Sequence, residues 1–257
     1  MMHERLGFSS RMKIFITHTH GDHVLGLPGL LQTMSLLDRK EKLEVYGPPG
    51  VRELVENVCE IANVNLRYPV EFFETKKGVV CKEKLFKVSA SLMDHSVPNY
   101  AYSFLENPKP GRFHPEKARA LNVPEGPMWS RLQYGHAVRL PNGTVVRSFE
   151  VCDSPRPGAK IVYSGDTKPT RKMISFARGA DLLIHESTFD EDLSARAKED
   201  AHSTPKSIAM IAKAARVKRL VLTHISARYN NSEPILSQAR SVFKASMVAT
   251  DFLRLTI

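Results

Sequence analysis

Four metal-competent side chains fall within six residues of this chain, His18-Thr19-His20-Gly21-Asp22-His23. They follow Ile14-Phe15-Ile16, three apolar residues, two of them β-branched, that read as a buried strand. On extended backbone His18 and His20, two residues apart, point the same way. Gly21 permits a sharp turn, and Asp22 and His23 then come back towards the same point from the start of a helix. A lone histidine is usually a surface or hydrogen-bonded core residue. Three imidazoles and a carboxylate at this spacing are metal chemistry, with zinc favoured and manganese or iron as the alternatives.

The elements that must carry these groups alternate between strand and helix. Leu25 to Leu37 reads as a helix with Pro28 near its start, Leu43 to Tyr46 as a strand, and Gly47-Pro48-Pro49-Gly50 as a turn into a helix reaching about Ala62. Val70 to Phe73, Leu85 to Leu92 and Tyr100 to Leu105 read as strands. The second of these leads into Asp94-His95-Ser96. After residue 147 the rhythm resumes. Lys160 to Ser164 ends at Gly165-Asp166-Thr167, Asp181 to Ile184 ends at His185-Glu186, and Arg219 to Leu222 ends at Thr223-His224. His202-Ser203-Thr204-Pro205 has the pattern of a helix start, with Thr204 as N-cap and Pro205 first in the helix that runs to Ala215. A helix over Pro234 to Phe243 and a closing strand over Asp251 to Ile257 complete the reading. Polar, metal-competent residues thus recur at the ends of successive strands, where open α/β sheets place their sites.

Residues 107–147 break the rhythm. They hold Pro108, Pro110, Pro115, Pro124, Pro127 and Pro141, one short helical patch at Pro115 to Leu121, and seven basic against two acidic residues. That net +5 is half the charge of the whole chain, which carries +10 at pI 9.6. The segment reads as a protruding insertion with its own small hairpin. Phe113, Trp129 and Tyr134 among its cations have two readings, stacking on bases or anchoring the insertion to itself. The charge balance points to a polyanionic partner, nucleic acid first. Cys59, Cys81 and Cys152 show no paired spacing, which argues for a reducing compartment and against a zinc ribbon. No run reaches membrane-spanning length, and Met1 to Ser10 has no signal-peptide core. A cytoplasmic protein is expected.

The order and spacing of His18-Thr-His20-Gly-Asp22-His23, His95, Ser-Gly-Asp166-Thr and Thr-His224-Ile-Ser resemble the metallo-β-lactamase superfamily. Leu-Gly-Leu-Pro-Gly-Leu after the first motif, Leu-Ile-His185-Glu186-Ser-Thr-Phe, Ala-His202-Ser-Thr and His224-Ile-Ser-Ala-Arg-Tyr resemble one branch of it, the RNase Z (tRNase Z) family. The resemblance runs from Met12 onward. It implies one domain over 1–257, a four-layer αβ/βα sandwich, with 107–147 as an inserted flexible arm that grips the tRNA elbow, usually across a homodimer. It implies two zinc ions per subunit, one on His18, His20, His95 and Asp166, the other on Asp22, His23, Asp166 and His224, with Asp166 bridging. It also implies catalytic roles for Asp22, which orients or deprotonates the attacking water, and for His202, the proton donor to the leaving oxygen, held by Glu186. Lys109, Arg112, Phe113, Lys117, Arg119 and Arg131 become the RNA-binding candidates.

The expected activity is removal of the 3′ trailer from tRNA precursors, leaving a 3′-hydroxyl on the tRNA and a 5′-phosphate on the trailer. Paired divalent metals suit such in-line displacement at phosphorus. Of ten histidines, five become ligands and one catalytic; His3, His114 and His136 are expected at the surface, and His185 has no role. Members of the family carry further strands before the first motif, so those strands are expected to be missing here and an edge exposed. Two other readings remain: a hydrolase of the same superfamily acting on esters, thioesters or lactones, and an inactive RNA-binding relative.

Overall fold

The structure is a computed structural model, and it describes residues 10–257. In chain order its elements are β1 (Met12–Phe15), α1 (Gly21–Val24), α2 (Gly26–Leu36), β2 (Leu43–Gly47), α3 (Val51–Ile61), β3 (Val70–Glu74), β4 (Gly78–Lys82), β5 (Phe86–Met93), β6 (Asn99–Glu106), α4 (Pro115–Ala120), α5 (Pro127–Gln133), β7 (Val138–Arg139), β8 (Val145–Val146) and α6 (Ser148–Val151). Then come β9 (Lys160–Tyr163), α7 (Arg171–Phe176), β10 (Leu182–Glu186), a 3-10 turn (Glu191–Leu193), α8 (Ser194–Glu199), α9 (Pro205–Ala215), β11 (Arg219–Thr223), α10 (Glu233–Arg240) and β12 (Ser246–Val248). None of these helices is long and apolar enough to cross a membrane. His3 lies outside the described residues.

The chain divides into two compact units, one made of the described residues up to Leu105 with Lys160–Ile257, the other of Glu106–Ala159. In the first, β1, β2 and β3 form a parallel sheet in that order. A seven-stranded mixed sheet runs β12-β11-β10-β9-β6-β5-β4, parallel from β12 to β9 and antiparallel at β9–β6 and β5–β4. Three apolar cores separate four layers. Leu27, Leu31, Met34 and Val55 pack α2 and α3 on the smaller sheet. Tyr46, Cys81, Val88, Ala90 and Tyr102 fill the space between the sheets. Val162, Leu183, Leu220 and Leu222 meet Met173, Ile208, Ala212 and Ile235 of α7, α9 and α10. This is the αβ/βα sandwich expected from the motifs.

α9 illustrates how local sequence sets these contacts. Thr204 and Ser207 form a reciprocal capping box, and Pro205 opens the helix. Ile208, Ala209, Ile211, Ala212 and Ala215 recur at helical spacing and are buried, so one face docks on the sheet. The start of α9 is therefore fixed, and with it the residues just before it, His202 and Ser203.

The second unit has its own core of Ala118, Val123, Leu132, Val138, Leu140, Val146 and Val151. It extends past the 107–147 segment because 152–156 return beside 109–113, through bridges at Phe113–Cys152 and Lys109–Arg156. Gly111 is required there, since a Cβ would run into the Asp153 carbonyl. Trp129 serves this unit's own packing: its Nε1–H donates to the Val123 carbonyl at 3.0 Å, and its ring meets Phe113 and the Arg119 guanidinium.

Some expectations shift. β4, α5, α6, α7 and α8 are elements beyond those expected from the sequence. β10 continues through His185 and Glu186, so the two alternate across the sheet. No strand covers 251–257; the closing strand is β12, and Phe252 has φ 65°, a left-handed conformation no strand accepts. His114 is partly buried rather than free at the surface, with Nδ1 3.0 Å from Glu116 and Nε2 2.8 Å from Asp153. His136 is exposed.

Candidate active site

The strand ends bring His18, His20, Asp22, His23, His95, Asp166, His202 and His224 into one cluster. The donor atoms of His18, His20 and His95 lie within 4.8 Å of one another, as do those of His18, His23 and Asp166, and of Asp22, His23 and His224. Asp166 is central. Its Oδ2 lies 3.7 Å from His18 Nε2 and 3.3 Å from both His23 Nε2 and His224 Nε2. Asp22 Oδ2 lies 3.3 Å from His23 Nε2 and 3.6 Å from His224 Nε2. His20 Nδ1 and His95 Nε2 face each other at 3.3 Å.

Oxygens behind the rings aim them. His95 Nδ1–H donates to the Ala201 carbonyl at 3.0 Å, while His18 Nδ1 meets Thr17 Oγ1 at 3.0 Å and His224 Nδ1 meets Thr188 Oγ1 at 2.9 Å. Each contact turns Nε2 inward, the usual support behind a metal-binding histidine. Backbone strain sits at the same place: His224 has φ 53° and Ala201 φ 60°. Gly165, at φ 61°, has no room for a Cβ against Asn99 Oδ1 and Thr17 Cβ.

The electrostatics match this donor set. Burial would raise the Asp166 carboxyl, but His23, His224 and His18 bring it down to about 2. Burial and the neighbouring His23 bring His18 down to about 4, so its imidazole is neutral with a lone pair to offer. The neighbouring Asp166 carboxylate raises His23 against the effect of burial. His18 Nε2 and His23 Nε2 are buried and have no hydrogen-bond partner. Buried polar atoms are normally paired. Two unpaired imidazole nitrogens around an ionised carboxylate fit divalent cations, and this donor chemistry is what a metal would require.

Beside the cluster stands a second arrangement. Glu186 is 1% exposed. Its Oε1 accepts hydrogen bonds from Thr167 N (3.1 Å), Ser203 N (3.1 Å) and His202 Nδ1 (3.0 Å). Its Oε2 accepts from Thr188 N (3.0 Å) and Thr188 Oγ1 (2.9 Å). Those contacts occupy the lone-pair directions of both oxygens, so Glu186 holds His202 and is not free to ligate. Burial opposes a charged His202, but Glu186 prevails and raises its pKa. The His202 ring lies 5.2 Å from His95 and 5.6 Å from His224.

Thr188 was not among the residues singled out in the sequence. Its hydroxyl lies within 3.1 Å of Glu186, His202 and His224 together. The usable signal was position, two residues past Glu186 where extended chain returns to the same face. Thr17, Asn99 and the Ala201 carbonyl carry no such signal. His185 is fully buried, with Nδ1 2.8 Å from the Glu186 carbonyl. Lys109, Arg112, Lys117, Arg119 and Arg131 are exposed on the second unit, Lys109 paired with Glu106 and Arg119 with Glu125. Phe113 is partly buried against that unit's core.

This fold and this cluster define a hydrolase of the metallo-β-lactamase superfamily. Residues 8–113 and 131–225 match the model for the Beta-lactamase superfamily domain. The chain is 46% identical over 258 residues to Ribonuclease Z of Methanosarcina acetivorans, covering 100% of itself and 84% of that protein, and 40% identical over 256 residues to Ribonuclease Z of Nitrosopumilus maritimus, covering 100% and 85%. The crystal structure of human tRNase Z, short form, superimposes with a TM-score of 0.69 at 27% identity, over 100% of this chain and 83% of that one. The chain belongs to the ribonuclease Z family.

Proposed function

We propose that the chain is a zinc-dependent endoribonuclease that removes the 3′ trailer from tRNA precursors. The observation that carries this reading is the Glu186–His202 pair, with His202 Nδ1 bound to a fully committed carboxylate and its ring packed between His95 and His224 of the cluster. The names of the relatives and the cationic second unit support it.

His18, His20, His95 and Asp166 would hold one ion, and Asp22, His23, Asp166 and His224 the other. When bound, such ions supply Lewis acidity and a hydroxide nucleophile at neutral pH. Asp22, held below the usual carboxylate range by His23 and His224 against the effect of burial, takes the proton of the attacking water. The phosphorus–oxygen bond to the 3′ oxygen of the retained nucleotide breaks as the bond to the water oxygen forms. His202 gives its proton to that leaving oxygen from Nε2, and Glu186 holds the ring through Nδ1. The products are a 3′-hydroxyl and a 5′-phosphate.

The second unit contributes grip through Arg112, Lys117 and Arg131, which have no ion-pair partner among the described residues. A homodimer is part of the reading. Residues 24–37 carry no charge, and Leu25 and Leu36 of this stretch are 65% and 75% exposed, an apolar face suited to a second copy. The three cysteines are free, in keeping with the cytoplasm.

The test is incubation with zinc and a tRNA precursor bearing a 3′ trailer, beside His20→Ala and His202→Ala. The reading expects a mature 3′-hydroxyl end from the wild type, loss of metal and cleavage in the first variant, and slow turnover with full metal content in the second. Ester hydrolysis that RNA does not inhibit, or tRNA binding without cleavage and without stoichiometric metal, would each replace it with one of the rival readings.

A further inference from the structure

The loop after β11 is laced to the loop after β10. Ser226 N donates to the Thr188 carbonyl at 3.1 Å, Tyr229 N to the Ser226 carbonyl at 3.1 Å, and Asp190 N to Tyr229 Oη at 2.9 Å. Between these ties projects Arg228, which is exposed. Its guanidinium lies 4.9 Å from the ring centre of Phe189, and its Nε donates to Ser226 Oγ at 3.0 Å. Phe189 is 4% exposed and meets the His202 ring at 5.9 Å, nearly edge-on at 72°. The buried Phe189 ring thus contacts both the Arg228 guanidinium and the imidazole of His202.

Arg228 has no carboxylate within ion-pair distance among the described residues. The comparison on the same ring is Arg196, 5.8 Å from the Phe189 centre, which is paired with Asp200 at 3.2 Å. Arg228 is thus a guanidinium held over Phe189 and hydrogen-bonded through Nε to Ser226, while its two terminal nitrogens make no hydrogen bond or ion pair among the described residues. That is the form in which arginine recognises a phosphate, through paired donors in a planar fork.

Resting on the functional reading above, we propose that Arg228 grips an RNA phosphate next to the scissile bond and so positions the strand for His202. Phe189 is the shelf that sets its orientation, and Arg196, already neutralised, takes no part in binding.

The experiment compares Arg228→Ala, Arg228→Lys and Arg196→Ala on a tRNA precursor and on bis(p-nitrophenyl) phosphate, which has no neighbouring phosphate. Arg228→Ala should raise KM for the precursor about tenfold with kcat within about twofold, and lower the slope of log affinity against log salt by about one. Hydrolysis of the small diester should be unchanged. Arg228→Lys should recover part of the loss, because charge returns without the fork, and Arg196→Ala should keep the native KM. Replacing the phosphates on either side of the cut one at a time by neutral methylphosphonates should reveal one position at which the Arg228→Ala penalty disappears. The inference is overturned by an unchanged KM, by equal losses on both substrates, which would mark a structural role, or by the absence of any coupled phosphate. A wild type that hydrolyses the small diester yet leaves the precursor whole defeats the functional reading itself, whatever the variants do.

Discussion

Replacing Glu186 by Gln separates holding His202 from holding metal. The carboxylate accepts five hydrogen bonds, from Thr167 N, Ser203 N and His202 Nδ1 on one oxygen and from Thr188 N and Oγ1 on the other. A glutamine has one oxygen and one NH2. Turned so that its oxygen keeps the three donors, it points NH2 at the Thr188 N–H and strands that buried donor, while the Thr188 hydroxyl can rotate to accept. One buried unpaired N–H costs about 1–3 kcal/mol, and that is the expected loss of stability. The effect on rate is larger. His202 loses the anion that favours its charged form, and removing a positioned general acid costs about 10²–10⁴-fold. We expect kcat on a tRNA precursor to fall at least about 100-fold, at the low end of that range because the amide oxygen still orients the ring. Metal content, measured by mass spectrometry, should stay native, and so should turnover of bis(p-nitrophenyl) phosphate, whose leaving group departs without a proton. Native kcat on the precursor would refute the assignment of Glu186 and His202 as a proton-donating pair. Loss of metal along with activity would mean that the carboxylate belongs to the metal shell.

Other outcomes follow from the same contacts. Glu44, bonded to Lys13 and to Tyr46 Oη, has its carboxyl brought to about 2 from an ordinary 4.5, although burial opposes this. Its stabilisation is therefore complete above about pH 4.5 and is lost as pH falls towards 2. By linkage it amounts to about 3 kcal/mol at most, so chemical denaturation at pH 6 should find Glu44→Gln less stable than the wild type, with the gap closing on acidification. A gap that does not depend on pH would contradict this. Gly165→Ala places a Cβ 2.8 Å from Thr17 Cβ at φ 61°, which should cost about 1–3 kcal/mol in thermal unfolding and reduce metal content, because Asp166 is the next residue; native values for both would be contrary. Reversing charge at Arg112, Lys117 and Arg131 together should weaken precursor binding and flatten its salt dependence by up to about three in slope, with small-diester hydrolysis intact. An unchanged slope would remove the second unit from RNA binding.

Residue periodicity located the ends of β1, β9 and β11, and with them His18, Asp166 and His224, because a buried parallel strand is a short apolar run bounded by polar residues. It located the start of α9 because Thr204-Pro205 is a local cap whose energetics do not depend on the rest of the fold. Contacts made at a distance were not legible. Thr188 reaches three partners only because β10, the loop before α9 and the end of β11 converge, and the Ala201 carbonyl serves His95 across 106 residues. The boundary at Ala159 depends on which segments return side by side, and nothing in residues 152–156 announces that they pair with 109–113. The expected closing strand over 251–257 went wrong for a similar reason: β12 is only three residues long and is set by the register Leu220–Ser246, while Phe252 and Leu253 are apolar yet exposed.

We propose that Asp166 joins two metal positions. The direct test is the metal content of purified protein reconstituted with zinc, for the wild type and Asp166→Ala, measured together with cleavage of a tRNA precursor. Two equivalents in the wild type, fewer than one in the variant and no cleavage by the variant is the predicted result. A variant that keeps two equivalents, or metal-free wild type that still trims the precursor, would contradict it.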